Sequence, residues 1–241
     1  MNGLLRKVIM CTSASLFDNK RGKIVFYHDV HKINRHYEHS TPIELFEKHC
    51  EEALRLGYRH VVGFPIDDMT YHVCFDDGFH GIYELGDRLK ELGIRPTVYV
   101  AVDLIGKRGF LNKKEILELQ AEGYDFQSHT WSHEYLPMYD EAGLRHELED
   151  SRKWLCDFLQ KDVSQICFPR GLFNRKIYDA SLCAGYRTLI SSIPGSINEG
   201  VLPNVLPRNL VQEYSPQEYG FVLRGALSAF RNHYRKRHYK K

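Results

Sequence analysis

Two carboxylates stand side by side at the end of an apolar run in Val73-Cys74-Phe75-Asp76-Asp77-Gly78-Phe79. Such a run reads as a buried strand, and the carboxyl ends of strands are where α/β proteins assemble their chemistry. Neighbouring side chains on a strand point to opposite faces, so a turn at Gly78 is needed to bring Asp76 and Asp77 into one pocket. Two imidazoles follow in Ser128-His129-Thr130-Trp131-Ser132-His133, again directly after a strand-like run. His129 and His133 would share one side of a helical turn and could hold one metal ion, with a carboxylate oxygen as third ligand and water as fourth. Ile166-Cys167-Phe168-Pro169-Arg170-Gly171 ends a further apolar run in a turn whose backbone N–H could serve an oxyanion. Each piece has an ordinary reading as well. Asp-Asp-Gly and Pro-Arg-Gly are good turns, and thirteen histidines make one such spacing expected by chance. What sets the three apart is that all follow strands, and in a barrel the ends of parallel strands share one face.

The elements that must position them are legible as alternating periodicities. Short β-branched or aromatic runs occur at 23–28, 59–64, 71–75, 97–101, 124–127, 164–168, 187–191 and 205–211, most of them separated by helical stretches. Helix starts are marked by Thr41-Pro42-Ile43-Glu44, by Ser215-Pro216-Gln217-Glu218 and by Asn112 with Glu115. Residues 141–159 read as one long amphipathic helix with Leu144, Leu148, Leu155 and Leu159 near one face. Strand and helix alternating about seven times predict an α/β fold with a parallel sheet closed into a barrel.

The chain has 241 residues, 43% of them hydrophobic and 27% charged, which excludes disordered, collagen-like and membrane-spanning classes. Its formal charge of +2 is a cancellation, because no acidic residue follows Glu218 while Arg224, Arg231, Arg235, Lys236, Arg237, Lys240 and Lys241 are all basic. Six scattered cysteines with no CxxC pair read as reduced thiols, neither a disulfide scaffold nor a structural zinc site. Residues 1–17 lack the Leu-rich centre and cleavage site of a secretory leader, so a cytoplasmic protein is expected. Three parts are expected: an N-terminal extension (1–22), a catalytic barrel (23–214) and a basic amphipathic helix or tail (215–241). In that tail Tyr219, Val222, Leu223, Ala226, Leu227, Phe230 and Tyr234 recur at helical spacing. It would either pack on the barrel or lie peripherally on an anionic membrane surface. Nucleic acid is not expected, since no recognised binding module accompanies the charge.

With these motifs in hand, the chain resembles the polysaccharide deacetylase family, the group with nodulation-factor deacetylase homology, similar to carbohydrate esterase family 4. Phe75-Asp76-Asp77-Gly78 is similar to its first motif, His129-Thr130-Trp131-Ser132-His133 to its second and Phe168-Pro169-Arg170-Gly171 to a variant of its third. Gly185-Tyr186 and Leu206-Pro207-Arg208-Asn209-Leu210 extend the likeness, which covers roughly residues 23–212. The resemblance implies a distorted seven-stranded (β/α) barrel that removes N-acetyl groups from saccharides with one divalent metal. It implies Asp77, His129 and His133 as ligands, Asp76 as general base toward a water at the metal, and the Arg170 backbone N–H as oxyanion donor. Arg208 is the candidate partner of Asp76, where a cation would keep the carboxylate ionised. Pro169, Gly171 and Trp131 fall at substrate-binding positions. Zinc suits two imidazoles and a carboxylate, and cobalt or nickel accepts similar ligands.

Two departures matter. Arg170 stands where many members have tyrosine, so it either meets an anionic substrate group or is simply solvated. The late Leu-x-His motif that supplies the family's general acid is missing. His233 and His238 lie in the basic tail, where neither is expected to reach the site, which leaves His28, beside Asp29, as the best substitute. If the protein is cytoplasmic, a lipid-linked or nucleotide-linked amino sugar suits it better than an extracellular polymer. The rival expectations are hydrolysis of another non-peptide carbon–nitrogen bond, or a carbohydrate-binding pseudoenzyme.

Overall fold

Eight short strands carry a strict in-out alternation that separates the inside of a barrel from its outer shell. In the computed structural model they are β1 (Lys23–Tyr27), β2 (Thr70–Asp77), β3 (Thr97–Val100), β4 (Asp125–Ser128), β5 (Gln165–Cys167), β6 (Thr188–Ile190), β7 (Val205–Leu206) and β8 (Asn209–Leu210). The structure describes residues 3–16, 18–64 and 66–240. Met1, Asn2, Phe17 and Lys241, the ends of the terminal stretches read above, and Pro65 lie outside the described residues.

All pairings are parallel, in the order β7-β6-β5-β4-β3-β2-β1-β8. The two outermost strands are halves of one run, 205–210, interrupted by Pro207 and Arg208. Proline has no N–H to give to a ladder, so the barrel closes at this seam through the chain itself, with Val25 of β1 opposite Asn209. Seven staves result, the distorted (β/α) barrel expected. The run 59–64 contributes only Arg59–His60, paired to the start of β2 outside the ring, because the chain turns away and leaves Val62 exposed.

Ile24, Phe26, Cys74, Tyr99, Cys167 and Ile190 fill the interior, whereas Val25, Tyr27, Val73, Phe75, Val98 and Leu189 join the larger core between strands and helices. This is the period of two that a closed sheet requires. It also fixes the site, for the next inward position at the carboxyl end of β1 is residue 28, of β2 residue 76, of β4 residue 129 and of the broken seam residue 208.

Helix α1 (Gly3–Leu16) precedes the strands, and α2 (Ile43–Arg55), α3 (Gly81–Glu84), α4 (Lys113–Ala121), α5 (Glu141–Arg145), α6 (Ser151–Leu159), α7 (Arg175–Cys183), α8 (Pro216–Leu223) and α9 (Arg231–His238) are set among them or follow them. Capping boxes form at Asn112/Glu115 and Ser215/Glu218. At α2 the expected cap does not form: Pro42 precedes the helix and the Thr41 hydroxyl donates instead to Gln212 O. The long helix over 141–159 is interrupted by a π-helical turn at His146–Asp150. The C-terminal segment is three pieces rather than one helix, broken at Gly225 (φ 94°). Its Tyr219, Val222, Leu223, Ala226 and Leu227 are buried, and α1 packs on α8 and on the 3-10 turn Ala226–Phe230. Among the described residues no helix is long and apolar enough to cross a membrane.

Candidate active site

A cavity of about 670 Å³ opens at the carboxyl ends of the strands, and Asp76, Asp77, His28, His129, His133, Arg170 and Arg208 all line it. Asp76 points inward by simple alternation. Asp77 would point outward, but its backbone is left-handed (φ 68°), which re-aims its side chain into the same mouth. The reversal expected at Gly78 thus begins one residue earlier. Four of the seven non-glycine residues with positive φ among the described residues are Asp77, Thr130, His133 and Arg170. Backbone strain therefore collects at this mouth, as it does where surrounding structure enforces a functional geometry.

His129 and His133 are not on a helical turn. They flank an irregular loop, bent by left-handed Thr130 (φ 73°) and His133 (φ 63°). The loop is clamped from beneath by Glu147, which sits buried in the π-turn. One Glu147 oxygen accepts from the Trp131 and Ser132 N–H groups, both at 3.0 Å, and the other from the Ser132 hydroxyl at 2.6 Å. Nothing in the sequence singled out Glu147. Its signal was a lone glutamate on the apolar side of an amphipathic run.

The loop brings His133 Nε2 to 3.1 Å and His129 Nε2 to 3.4 Å from the same Asp77 Oδ1. That oxygen is buried with no hydrogen-bond partner among the described residues. Ligand atoms around a tetrahedral ion with bonds of 2.0–2.1 Å lie ~3.3 Å apart, so the three atoms fit a divalent metal of the zinc class. His129 Nδ1 donates to Cys167 O at 2.7 Å, which turns Nε2 toward Asp77; burial lowers the ring's pKa, but Cys167 and Asp77 outweigh it and hold it well above the ordinary value, so a cation binding there displaces a proton. Burial pushes the Asp77 carboxyl up, but His129 and then His133 bring it well below the usual carboxylate range. Burial, followed by the neighbouring His129, lowers His133 to about 4, so its ring is neutral and able to ligate.

Asp76 is held differently. Arg208 grips both of its oxygens at 2.6 Å, donates further to Ser191 O and Cys167 Sγ, and stacks 3.8 Å above the Phe26 ring. Burial raises the Asp76 pKa, and Arg208 with His129 outweighs it to leave the carboxyl below its ordinary value. Asp76, His129 and Cys167 also lie close enough to share an ion. The fixed guanidinium on Asp76 disfavours a cation there, whereas the Asp77 set has no such neighbour.

His28 faces the cavity, but Gln212 rather than Asp29 holds it, with His28 Nδ1 2.8 Å from Gln212 Oε1. Asp29 is buried and accepts from the His36 N–H instead. Arg170 occupies a left-handed turn (φ 57°) with its side chain exposed at the rim, between buried Pro169 and Gly171. A Cβ at Gly171 would lie 2.5 Å from Ser192 Cβ and 2.9 Å from His238 Nδ1, so only glycine lets these segments meet. Trp131 is not brought to the cavity wall; its indole packs on the His146 ring at 4.5 Å.

His238 overturns the expectation for the tail. It lines the cavity together with Tyr234 and Leu227, because Tyr239–Lys240 pairs in parallel with Phe173–Asn174 and folds α9 back across the rim. Tyr37, from a rim loop, completes the aromatic wall, with its ring 5.1 Å from that of His28. Tyr37 carried no local signal beyond being a tyrosine in a polar stretch, and Tyr234 was legible only as part of the tail's apolar face.

A family model described as polysaccharide deacetylase matches residues 66–189. A Bacillus subtilis (strain 168) protein named as a polysaccharide deacetylase, YxkH, is 26% identical over 198 residues, covering 77% of this chain and 70% of that protein. The solved Streptococcus pyogenes deacetylase PplD, in complex with acetate, superposes with a TM-score of 0.72 at 21% identity, over 82% of this chain and 96% of that one. The Bacillus cereus polysaccharide deacetylase BC0361 gives 0.75 at 20% identity, over 86% and 70%. These superpositions show the shared barrel. The family model, which matches more than half of the chain including the motifs at the barrel mouth, places the chain in the polysaccharide deacetylase family, hydrolases of carbon–nitrogen bonds other than peptide bonds.

Proposed function

We propose that the protein hydrolyses the acetamide of an N-acetylated saccharide to a free amine and acetate, using a divalent cation held by Asp77, His129 and His133. The observation that carries this reading is the convergence of those three ligand atoms beside an Arg208-paired carboxylate in one cavity. A cation bound there supplies Lewis acidity, lowering the pKa of a water and polarising the amide carbonyl.

The remaining work falls to the chain. Asp76, kept ionised by Arg208, takes the proton from the attacking water. The Arg170 backbone N–H, presented by its left-handed turn, donates to the developing oxyanion. The departing nitrogen needs a proton, and His28 is positioned to give it: with Nδ1 bonded to Gln212, its Nε2 remains for the substrate. The presence of His28 and His238 in the cavity removes the motive for a pseudoenzyme reading. Tyr37, Tyr214 and Tyr234 offer flat apolar faces for sugar rings. The exposed Arg170 guanidinium suits an anionic group on the saccharide.

Acetate release from a panel of neutral and anionic N-acetylated saccharides, with and without chelator, tests the reading. Release is expected to stop on chelation and return with zinc or cobalt. Asp76→Asn should keep stoichiometric metal and lose about 10²–10⁴-fold in turnover. Failure of every substrate with metal restored would remove the proposal, and full activity in Asp76→Asn would remove the base assignment.

A further inference from the structure

A second group of metal-competent side chains lies outside the cavity. His36 belongs to the rim loop that also carries Tyr37 and His39. His80 directly precedes α3, and Glu84 ends it. His36 Nε2 lies 3.0 Å and His80 Nδ1 3.3 Å from the same Glu84 oxygen, and all three atoms fall within 4.8 Å of one another. Two of these separations match the ~3.3 Å between ligands of a tetrahedral ion. They also reproduce the spacing around Asp77 Oδ1 in the cavity.

The surroundings are built rather than incidental. His80 Nε2 lies 3.3 Å from Glu115 Oε1 while Nδ1 faces Glu84 at 3.3 Å, so the ring is held between two carboxylates with Nδ1 turned toward Glu84 and His36. A carboxylate on the far nitrogen is the arrangement that orients metal-binding histidines. The His80 N–H is anchored on Gly109 O, and the His36 N–H on the buried Asp29 carboxylate. Gly81 packs so tightly on Asp29 that a Cβ there would lie 2.2 Å from its Oδ1, so both ligand-bearing segments rest on one support. The two imidazoles are part-buried, with side chains 18% (His36) and 28% (His80) exposed, and Glu115 is 14% exposed, while Glu84 stands at the surface. Two carboxylates facing two imidazoles leave a negative site that a dication neutralises.

We propose that His36, His80 and Glu84 form a second transition-metal site, with an open position for water, that clips the Tyr37 loop onto the segment following Asp77. Tyr37 stacks on Phe79 at 5.0 Å and 26°, so the clip would hold one wall of the catalytic cavity in place from outside.

Metal-stripped full-length protein is loaded with Zn²⁺ and its bound metal counted by mass spectrometry. Two equivalents are expected in the wild type, one in His36→Ala, one in Glu84→Gln, one in Asp77→Ala and none in Asp77→Ala/His36→Ala. Melting in chelator verifies that each variant is folded. Two equivalents in both folded His36→Ala and folded Glu84→Gln overturn the proposal. So does a single wild-type equivalent that Asp77→Ala removes and His36→Ala leaves, and that result spares the catalytic reading. A single equivalent with the opposite dependence supports the second site and removes the catalytic one. Zinc should also slow hydrogen exchange across residues 32–40 in Asp77→Ala but not in Asp77→Ala/His36→Ala, and unchanged exchange overturns the clip.

Discussion

At the scale of the residue, the site depends on one buried cation meeting one buried anion. Arg208 and Asp76 are both almost wholly inaccessible and joined by two hydrogen bonds. Removing one partner of such a pair costs about 3–5 kcal/mol, because the other charge is left buried alone. Arg208→Met is therefore expected to lose about that much stability in urea unfolding at pH 7. The double variant Arg208→Met/Asp76→Asn should recover at least ~1 kcal/mol of the loss. The sign of the pH dependence should also invert. In the wild type Asp76 has a lowered folded pKa, so its contribution is full above the unfolded value of about 3.9 and is lost as pH falls through the depressed one. Without the guanidinium, burial raises that pKa against only the weaker pull of His129, and stability should then increase as pH is lowered from 7 toward 5. Strictly additive losses in the two variants, or an unchanged slope, would show that the pair is not coupled.

At the scale of the element, the histidine loop is shaped by a helix whose sequence gave no hint of it. The π-turn at His146–Asp150 carries Glu147 beneath the loop, where one carboxylate holds two backbone N–H groups and a hydroxyl. π-turns of this kind recur at functional sites because they shift the facing of residues along an otherwise regular helix. Glu147→Ala should cost about 1–3 kcal/mol through unsatisfied donors. It should also weaken metal binding at the cavity about 10–100-fold, since the proposed ligand His133 would lose its support. Calorimetric titration of the metal beside a melting curve checks both. Unaltered affinity in a destabilised protein would reduce Glu147 to a purely structural role. The local reading of 129–133 as a helical turn failed for the same reason: the bend is made by left-handed Thr130 and His133, and contacts from elsewhere in the chain, with the Glu147 carboxylate and the 100–103 backbone, help to hold it.

At the scale of the whole molecule, the basic tail turns out to be part of the cavity. Its apolar residues 219–227 are spent on packing against the N-terminal helix and the barrel, and α9, which contains no buried residue, lies over the rim with Tyr234 and His238 inward. Deleting residues 231–241 is therefore expected to raise KM for a soluble saccharide about tenfold, equivalent to about 1.4 kcal/mol of lost contact. Any attachment to anionic vesicles would rest on exposed charges such as Arg235, Lys236 and Arg237 alone, and so should vanish at high salt. An unchanged KM would mean that the tail covers the cavity without touching substrate.

The sequence by itself determined what depends on near neighbours. Strand-like runs placed the Asp-Asp-Gly and His-x-x-x-His motifs at strand ends on one face of a barrel, and those motifs carried the family with them. The pairing of Arg208 with Asp76 was expected from the family resemblance, and two hydrogen bonds of 2.6 Å join them. Only the tertiary structure decided the rest. Asp77 turns into the cavity because the left-handed backbone begins one residue before the expected turn at Gly78. Glu147 reaches the histidine loop from a helix that begins well beyond it, Gln212 rather than the adjacent Asp29 holds His28, and His238 comes back from the far end of the chain. Each of these contacts joins residues distant in sequence, or imposes a strained dihedral that the surrounding packing must overcome, and neither leaves a mark in local pattern.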